Sequence, residues 1–398
     1  MCRAAAALAV VLLVPAAGIA GQLSVSSEVQ TAFYPREPAG RPAEDSEIRG
    51  WASIEYDHQL RKNIDFSGDL VVYASNGRSG LVDGEAKVVW RGTKTALAGG
   101  LLRERWGRFN DSPLDPLGPS NTPFSLVHPE NRLSQPAIRA TAFFEGVTLD
   151  VYTLAGERRQ PLPDRDGRFG FGAPTRDVTD RGALGDQAIA VRASGTQRNV
   201  DWAAHVFGGL SRRPTFVPRF TPDARLGEIN AVYTDLLQVG GELETTQADW
   251  RFLAEGFARR GALDVTGQDR SYGYVAVAAE YQRLGASGGA YNVIPRFEFM
   301  ADTRGDRVDI PFASAVRAGM RIAQTGLRPA QVDVLYAYDW AFRGHGFIGG
   351  VEKALAESPT LNIGFRFTSF STGEKPSVLD IWRDDLEWFS YVRIGLSK

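Results

Sequence analysis

The stretch Val332-Asp333-Val334-Leu335-Tyr336-Ala337-Tyr338-Asp339-Trp340 decides how the rest of the chain is read. Successive side chains of a strand point to opposite faces. Val332, Val334, Tyr336, Tyr338 and Trp340 therefore share one face, and Asp333, Leu335, Ala337 and Asp339 the other. One face is apolar and aromatic, while the other mixes charge with small residues. The pattern recurs. Val316, Ala318, Met320 and Ile322 oppose Arg317, Gly319, Arg321 and Ala323; Leu361, Ile363, Phe365 and Phe367 oppose Asn362, Gly364, Arg366 and Thr368; Trp250, Phe252 and Ala254 oppose Arg251, Leu253 and Glu255.

Counting such stretches predicts about eighteen strands, near 22–33, 47–57, 64–75, 82–91, 93–103, 136–145, 147–155, 187–196, 199–209, 229–245, 249–260, 272–283, 291–302, 312–325, 331–341, 346–356, 360–370 and 384–396. Most are longer than the roughly 5–6 residues of a globular strand. They approach the roughly 9–11 residues that cross a membrane at a tilt. The connections sort into two series. Those at 58–63, Gly92, Gly146, 197–198, 246–248, 284–290, 326–329 and 357–359 are short. Those at 34–46, 76–81, 104–135, 156–186, 210–228, 261–271, 303–311, 342–345 and 371–383 are generally longer and polar. Strict alternation of short turns and long loops is expected of an outer-membrane barrel. It predicts an even strand count, 16 if not 18, and both termini on the periplasmic side.

The composition fits. The 398 residues carry 45 Lys and Arg against 47 Asp and Glu, so no global field attracts nucleic acid. Hydrophobic residues reach 43%, too many for a disordered chain, yet long helical periods are missing. Only six of the basic residues are Lys, and Gly is abundant at 43. Residues 1–20 read as an export signal: Arg3, an apolar run from Ala4 to Val14, and a small-residue exit. Their removal discards Cys2, the one Cys, and with it any disulfide, Cys metal site or Cys nucleophile. Residues 21–398 read as a single domain.

In hydrocarbon every backbone polar group must be paired, so a spanning sheet has to close. A barrel of about eighteen strands is too wide for side chains to fill. Arg139, Arg192, Arg251, Glu255, Arg296, Glu298, Arg317, Arg321, Asp333 and Arg366 would then line a wet lumen wall. In a dry core the same charges would be prohibitively costly.

At this point the chain resembles the Gram-negative outer-membrane porin-type β-barrels over its whole mature length. The run Leu101-Leu102-Arg103-Glu104-Arg105-Trp106-Gly107-Arg108-Phe109-Asn110-Asp111-Ser112-Pro113-Leu114-Asp115-Pro116 is similar to a motif of alginate-export-like porins and related proteobacterial barrels, in which a strand ends in Trp-Gly and an acidic residue and Asp-Pro follow. The run Arg132-Leu133-Ser134-Gln135-Pro136-Ala137-Ile138-Arg139-Ala140 is similar to their re-entry strand. Such barrels commonly end in an aromatic residue, whereas this chain ends Gly395-Leu396-Ser397-Lys398. The resemblance implies an outer-membrane location, passive diffusion of small hydrophilic solutes, and partners in outer-membrane lipid, lipopolysaccharide and the assembly machinery. It implies a third loop, 104–135, that enters the lumen. Arg103, Arg105, Arg108, Asp111 and Asp115 would there form a constriction that screens solutes by charge and size; the alternative is a surface flap.

The Arg-rich wall suits carboxylate or phosphate, yet acids interleave on the same face and favour internal pairing. Two other functions stay open: an export conduit for an acidic polysaccharide, and a plugged barrel acting in structure or surface binding. No enzyme is expected. Tyr73-Ala74-Ser75-Asn76-Gly77 is similar to the Ser-Asn-Gly of the outer-membrane phospholipase, but Tyr73 stands where that enzyme needs His. His58, His128, His205 and His345 lie far apart. Asp164-Arg165-Asp166-Gly167 and the set Asp302, Asp306 and Asp309 fall short of a calcium loop, and Gly170-Phe171-Gly172 opens no helix. No cofactor or metal is expected. Trp90, Trp202, Trp250, Tyr338, Trp340, Trp382 and Trp388 fall near strand ends, where interfacial girdles belong.

Overall fold

The computed structural model describes residues 21–33, 46–75, 78–109, 113–118, 132–156, 158–159, 173–180, 185, 187–223, 226–285, 289–309, 312–324, 326, 329–357, 360–371 and 386–397. The described residues form one 21-stranded sheet. Its strands are β1 (Gln22–Phe33), β2 (Ser46–Arg61), β3 (Ile64–Ser75), β4 (Arg78–Arg91), β5 (Thr95–Leu102), β6 (Gln135–Phe144) and β7 (Val147–Leu154). They continue as β8 (Thr175–Asp180), β9 (Ala188–Gln197), β10 (Val200–Leu210), β11 (Thr215–Phe220), β12 (Leu226–Gln247), β13 (Trp250–Leu263) and β14 (Asp269–Tyr281). The last are β15 (Arg283–Gly285), β16 (Tyr291–Asp302), β17 (Ala315–Gln324), β18 (Ala330–Asp339), β19 (Gly344–Glu357), β20 (Thr360–Ser371) and β21 (Leu386–Ser397).

The count exceeds the expected figure of about eighteen for a local reason. β8, β11 and β15 are short pieces inside connections, and β7 pairs directly with β9, β10 with β12 and β14 with β16. β11 continues the line of β10 along the upper half of β12, and β8 pairs in parallel with β12 over Ile229–Thr234. Every other pairing is antiparallel and runs between successive strands. β1 pairs with both β2 and β21, the latter from Ser24↔Ser397 to Phe33↔Trp388. The start of β1 and the end of β21 therefore sit at the end of the sheet that carries the turns at 62–63 and 198–199.

The strict sorting of connections is corrected in two places. The expected loop 76–81 shrinks because β3 and β4 pair out to Ser75↔Arg78. On the short-turn side, the 282–290 connection that carries β15 is longer than the 264–268 connection of the opposite side.

The two faces are inverted relative to a soluble protein. On β12, Leu237, Val239 and Leu243 are each about half exposed, while Gln238 and Glu242, which alternate with them, are 0% and 5% exposed. The same inversion places Phe252, Val275, Val277, Phe297 and Phe299 outward and Glu255, Glu280 and Glu298 inward. Leaving a large apolar side chain in water forfeits roughly 1.5–3 kcal/mol, so a continuous outer apolar surface demands a non-aqueous solvent. Trp90 and Trp250 are exposed at the ends of β4 and β13, and Trp340 directly after β18. Trp250 lies 5.1 Å from Tyr281, and Phe299 stacks on Trp340 at 5.1 Å, as interfacial girdle pairs do. Trp202 sits two residues into β10, Tyr338 near the end of β18 and Trp388 in β21, whereas Trp382 lies outside the described residues.

Candidate functional site: an inward loop on a charged wall

β5 and β7 are only 8 residues long, against 22 for β12 and 14 for β13. The chain therefore leaves β5 part-way up the wall and turns inward rather than over the rim. Arg103, the first residue past β5, is held by two carboxylates of the neighbouring strands: Nη1 donates to Asp69 at 2.5 Å and Nη2 to Asp83 at 2.6 Å. Glu104 faces the other way, accepting from Arg139 Nη1 at 2.7 Å and Tyr152 Oη at 3.4 Å. Burial holds its carboxyl above the ordinary glutamate value, against the opposing pull of Arg139.

Trp106 then inserts into a slot, 2% exposed. It meets Tyr152 edge-on at 5.7 Å and His205 at 4.8 Å. His205 fits because residue 240 is Gly: a Cβ there would fall 2.7 Å from the imidazole. Gly107 turns the chain with φ of 97°, open to glycine at no steric cost. Its N–H donates to Glu242 at 2.7 Å, and the N–H of Arg108 to Glu255 at 2.8 Å. Two inward-facing glutamates thus hold loop backbone, the charge-assisted form of that bond.

Apolar contacts complete the seat. Trp106 and Leu117 join Leu102, Tyr152, Leu154, Phe207 and Leu236 in one cluster; Phe109 and Leu114 join Leu253, Phe257, Tyr272, Tyr274 and Met300 in another. Gln238 Nε2 donates to Leu114 O at 2.6 Å, and Arg259 Nη2 to Pro113 O at 3.1 Å. Asp115 turns back on the loop and accepts from the N–H of Leu117 at 2.9 Å and of Trp106 at 3.3 Å. Desolvation pushes its carboxyl above the ordinary aspartate value, opposed by Arg132 and these N–H donors.

The wall is a chain of alternating charge. Arg108 pairs with Glu244 at 2.9 Å, Glu244 with Arg251 at 2.7 Å, Arg251 with Glu280 at 3.0 Å, and Glu280 with Arg296 at 2.9 Å. Arg296 pairs with Glu298, which meets Arg317 at 3.5 Å. Strand pairing brings these together, since Arg251↔Glu280↔Arg296 and Glu298↔Arg317 are register partners. Arg192 pairs with Glu242, and Arg321 with Asp333 at 2.6 Å.

All ten wall residues named from the sequence alternate with the outward apolar residues of their strands; they are Arg139, Arg192, Arg251, Glu255, Arg296, Glu298, Arg317, Arg321, Asp333 and Arg366. The loop residues are distributed differently from the sequence expectation. Arg103 is bound at the wall, Arg108 joins the charge chain, Arg105 is exposed, Asp115 is committed to loop backbone, and Asp111 lies outside the described residues. Sequence reasoning missed Asp83, Glu104, Trp106, Glu242, Glu244 and His205 as seat residues. Glu242 and Glu244 carried a signal as acids alternating with Leu243, and Glu104 and Trp106 as members of the 101–116 motif.

The phospholipase-like 75–77 stretch lies at the top of β3, with 76–77 outside the described residues, as are His128, 164–167 and 170–172. Asp302 and Asp309 face Arg304, at 2.9 and 3.8 Å.

No family model matches the sequence, and no curated protein is similar to it. Solved structures do match. OccK5 (OpdH) of Pseudomonas aeruginosa superposes with a TM-score of 0.56 at 10% identity, over 95% of this chain and 98% of that one. The outer membrane protein opdK of the same organism gives 0.53 at 10%, over 95% and 99%. OccAB4 of Acinetobacter baumannii gives 0.54 at 9%, over 97% and 100%. The alginate-export likeness rests on the 101–116 and 132–140 runs. The fold itself is that of the Gram-negative porin-type β-barrels.

Proposed function

We propose that the chain is a closed outer-membrane barrel that conducts small hydrophilic solutes passively, with both termini in the periplasm and residues 1–20 removed on export. The carrying observation is the inversion: charge faces inward, apolar side chains face outward, and one loop folds onto the charged wall. Contacts of the described loop residues fall on β3–β4, β6–β7, β9–β10, β12–β14 and β16. The water path then runs along the lumen side of β17–β20, past Arg321, Asp333 and Arg366. Most wall arginines are matched by carboxylates, so selectivity for anions is mild. No step in this reading calls for a catalytic residue, a metal or a cofactor.

A second reading, a plugged barrel, is favoured by the two apolar clusters that fix the loop in the lumen. Swelling of liposomes in uncharged sugars of graded size separates the two. A conducting pore swells with small sugars and excludes large ones, and a plugged barrel swells with none.

A further inference from the structure

One buried carboxylate gathers the two ends of the inward loop, whose flanking strands meet at Leu102↔Gln135, and the first residues past β7. Asp83 is 0% exposed on β4, beside an irregularity where Val71↔Asp83 gives way to Val72↔Leu81. Such a bulge re-aims a side chain. Its Oδ2 accepts from Arg103 Nη2 at 2.6 Å and Nε at 3.1 Å, at the start of the inward loop. Its Oδ1 accepts from Ser134 Oγ at 2.9 Å and the Ser134 N–H at 3.3 Å, at the end of that loop. The same Oδ1 accepts from Arg158 Nη1 at 2.8 Å, in the next long loop. Arg158 is further clasped by Gln135, whose Nε2 donates to Arg158 O at 2.9 Å and whose Oε1 accepts the Arg158 N–H at 3.1 Å. Two guanidiniums and a hydroxyl thus converge on one carboxylate away from bulk water, where each charge-assisted bond is strong and its loss leaves cations uncompensated.

We propose that Asp83 is the latch that sets the bore of the channel, a positioning residue that fastens both ends of the inward loop, and Arg158 beside them, to the wall. The proposal rests on the channel reading above. Arg103 keeps Asp69 as a second partner, so the loop entry survives loss of the latch. The exit at Ser134 then keeps the neutral Gly84 carbonyl, and Arg158 keeps Gln135 and the Ser134 carbonyl, but neither retains a wall carboxylate. Loosening these arms lets the inward loop shift on the wall and widens the lumen without unmaking the sheet.

The test compares wild type, Asp83→Asn and Asp83→Ala, each refolded and checked for the heat-modifiable band of an intact barrel. Single-channel conductance is expected to rise about two-fold in Asp83→Ala and less in Asp83→Asn, with larger uncharged sugars admitted to liposomes. If Asp83→Ala does not fold, the Ser134→Ala/Arg158→Gln double variant changes no strand residue and is expected to move in the same direction. A folded variant with wild-type conductance and wild-type size cut-off overturns the latch. If wild type itself does not conduct, the channel reading fails, and the latch is then read by trypsin. New cleavage within 103–118 in Asp83→Ala supports it, and equal resistance in both proteins overturns it.

Discussion

Two sectors of one wall use the same alternation differently. In β12–β16 the inward charges are covered: Glu280 and Glu298 side chains are 7% and 6% exposed, between Arg251, Arg296 and Arg317. In β17–β18 the partners Arg321 and Asp333 are 53% and 32% exposed at a similar separation of 2.6 Å. The difference is the loop. Where Trp106, Phe109 and Leu114 lie against the wall, the carboxylate of each pair is covered while Arg251 and Arg296 stay 31% and 30% exposed; where they do not, both members of the pair face water. Pair geometry alone therefore does not predict energetic weight, because desolvation decides it.

The largest expected effect breaks the covered sector. Glu298→Ala takes from Arg317 its carboxylate at 3.5 Å and leaves Arg296 with Glu280, and should cost about 3 kcal/mol in denaturant unfolding. A loss under about 1 kcal/mol would mean that this sector is as wet as the other. Next is Trp106→Ala, which empties the slot beside Tyr152 and His205 and should cost about 3 kcal/mol. Its signature is faster trypsin cleavage at Arg105 or Arg108, and unchanged cleavage would show that the aromatic seat does not hold the loop.

The third effect is pH dependence. Seating raises the carboxyl pKa of both Glu104 and Asp115, so the seated loop binds protons more tightly than the released one. Its extra stability is full below the ordinary carboxylate values and fades as pH rises through the raised ones. Hydrogen exchange of 103–118, corrected for intrinsic rates, should be slower at about pH 5 than at about pH 8; the opposite order would contradict the assignment. The smallest effect is in the wet sector: Asp333→Asn should change stability by less than about 1 kcal/mol. It should nevertheless shift the reversal potential toward anions, and an unchanged potential would move the water path away from β18.

Much of this division was hidden in the sequence, although the sheet was not. The alternation through 332–340 and its counterparts placed the strands and all ten wall residues on their common face, because the period of two is a local property. The seat depends on partners far apart in sequence, such as Gly107 with Glu242 and Arg158 with Asp83, and no local pattern couples them. Trp106, Phe109 and Leu114 are spaced irregularly in a Pro-bearing loop, so no period marks them as buried. β8 and β11 were read as loop because their order comes from β12, which at 22 residues outgrows its neighbours and offers free edges. The Asp302, Asp306 and Asp309 set was weighed as cation ligands, yet two of its members face Arg304.

The central claim, that a charged lumen stays open beside a fixed loop, is tested most directly by recording purified wild-type protein in planar bilayers. The account predicts steady, ohmic single-channel steps that do not decay with time. Persistent electrical silence of a folded, inserted barrel would contradict it.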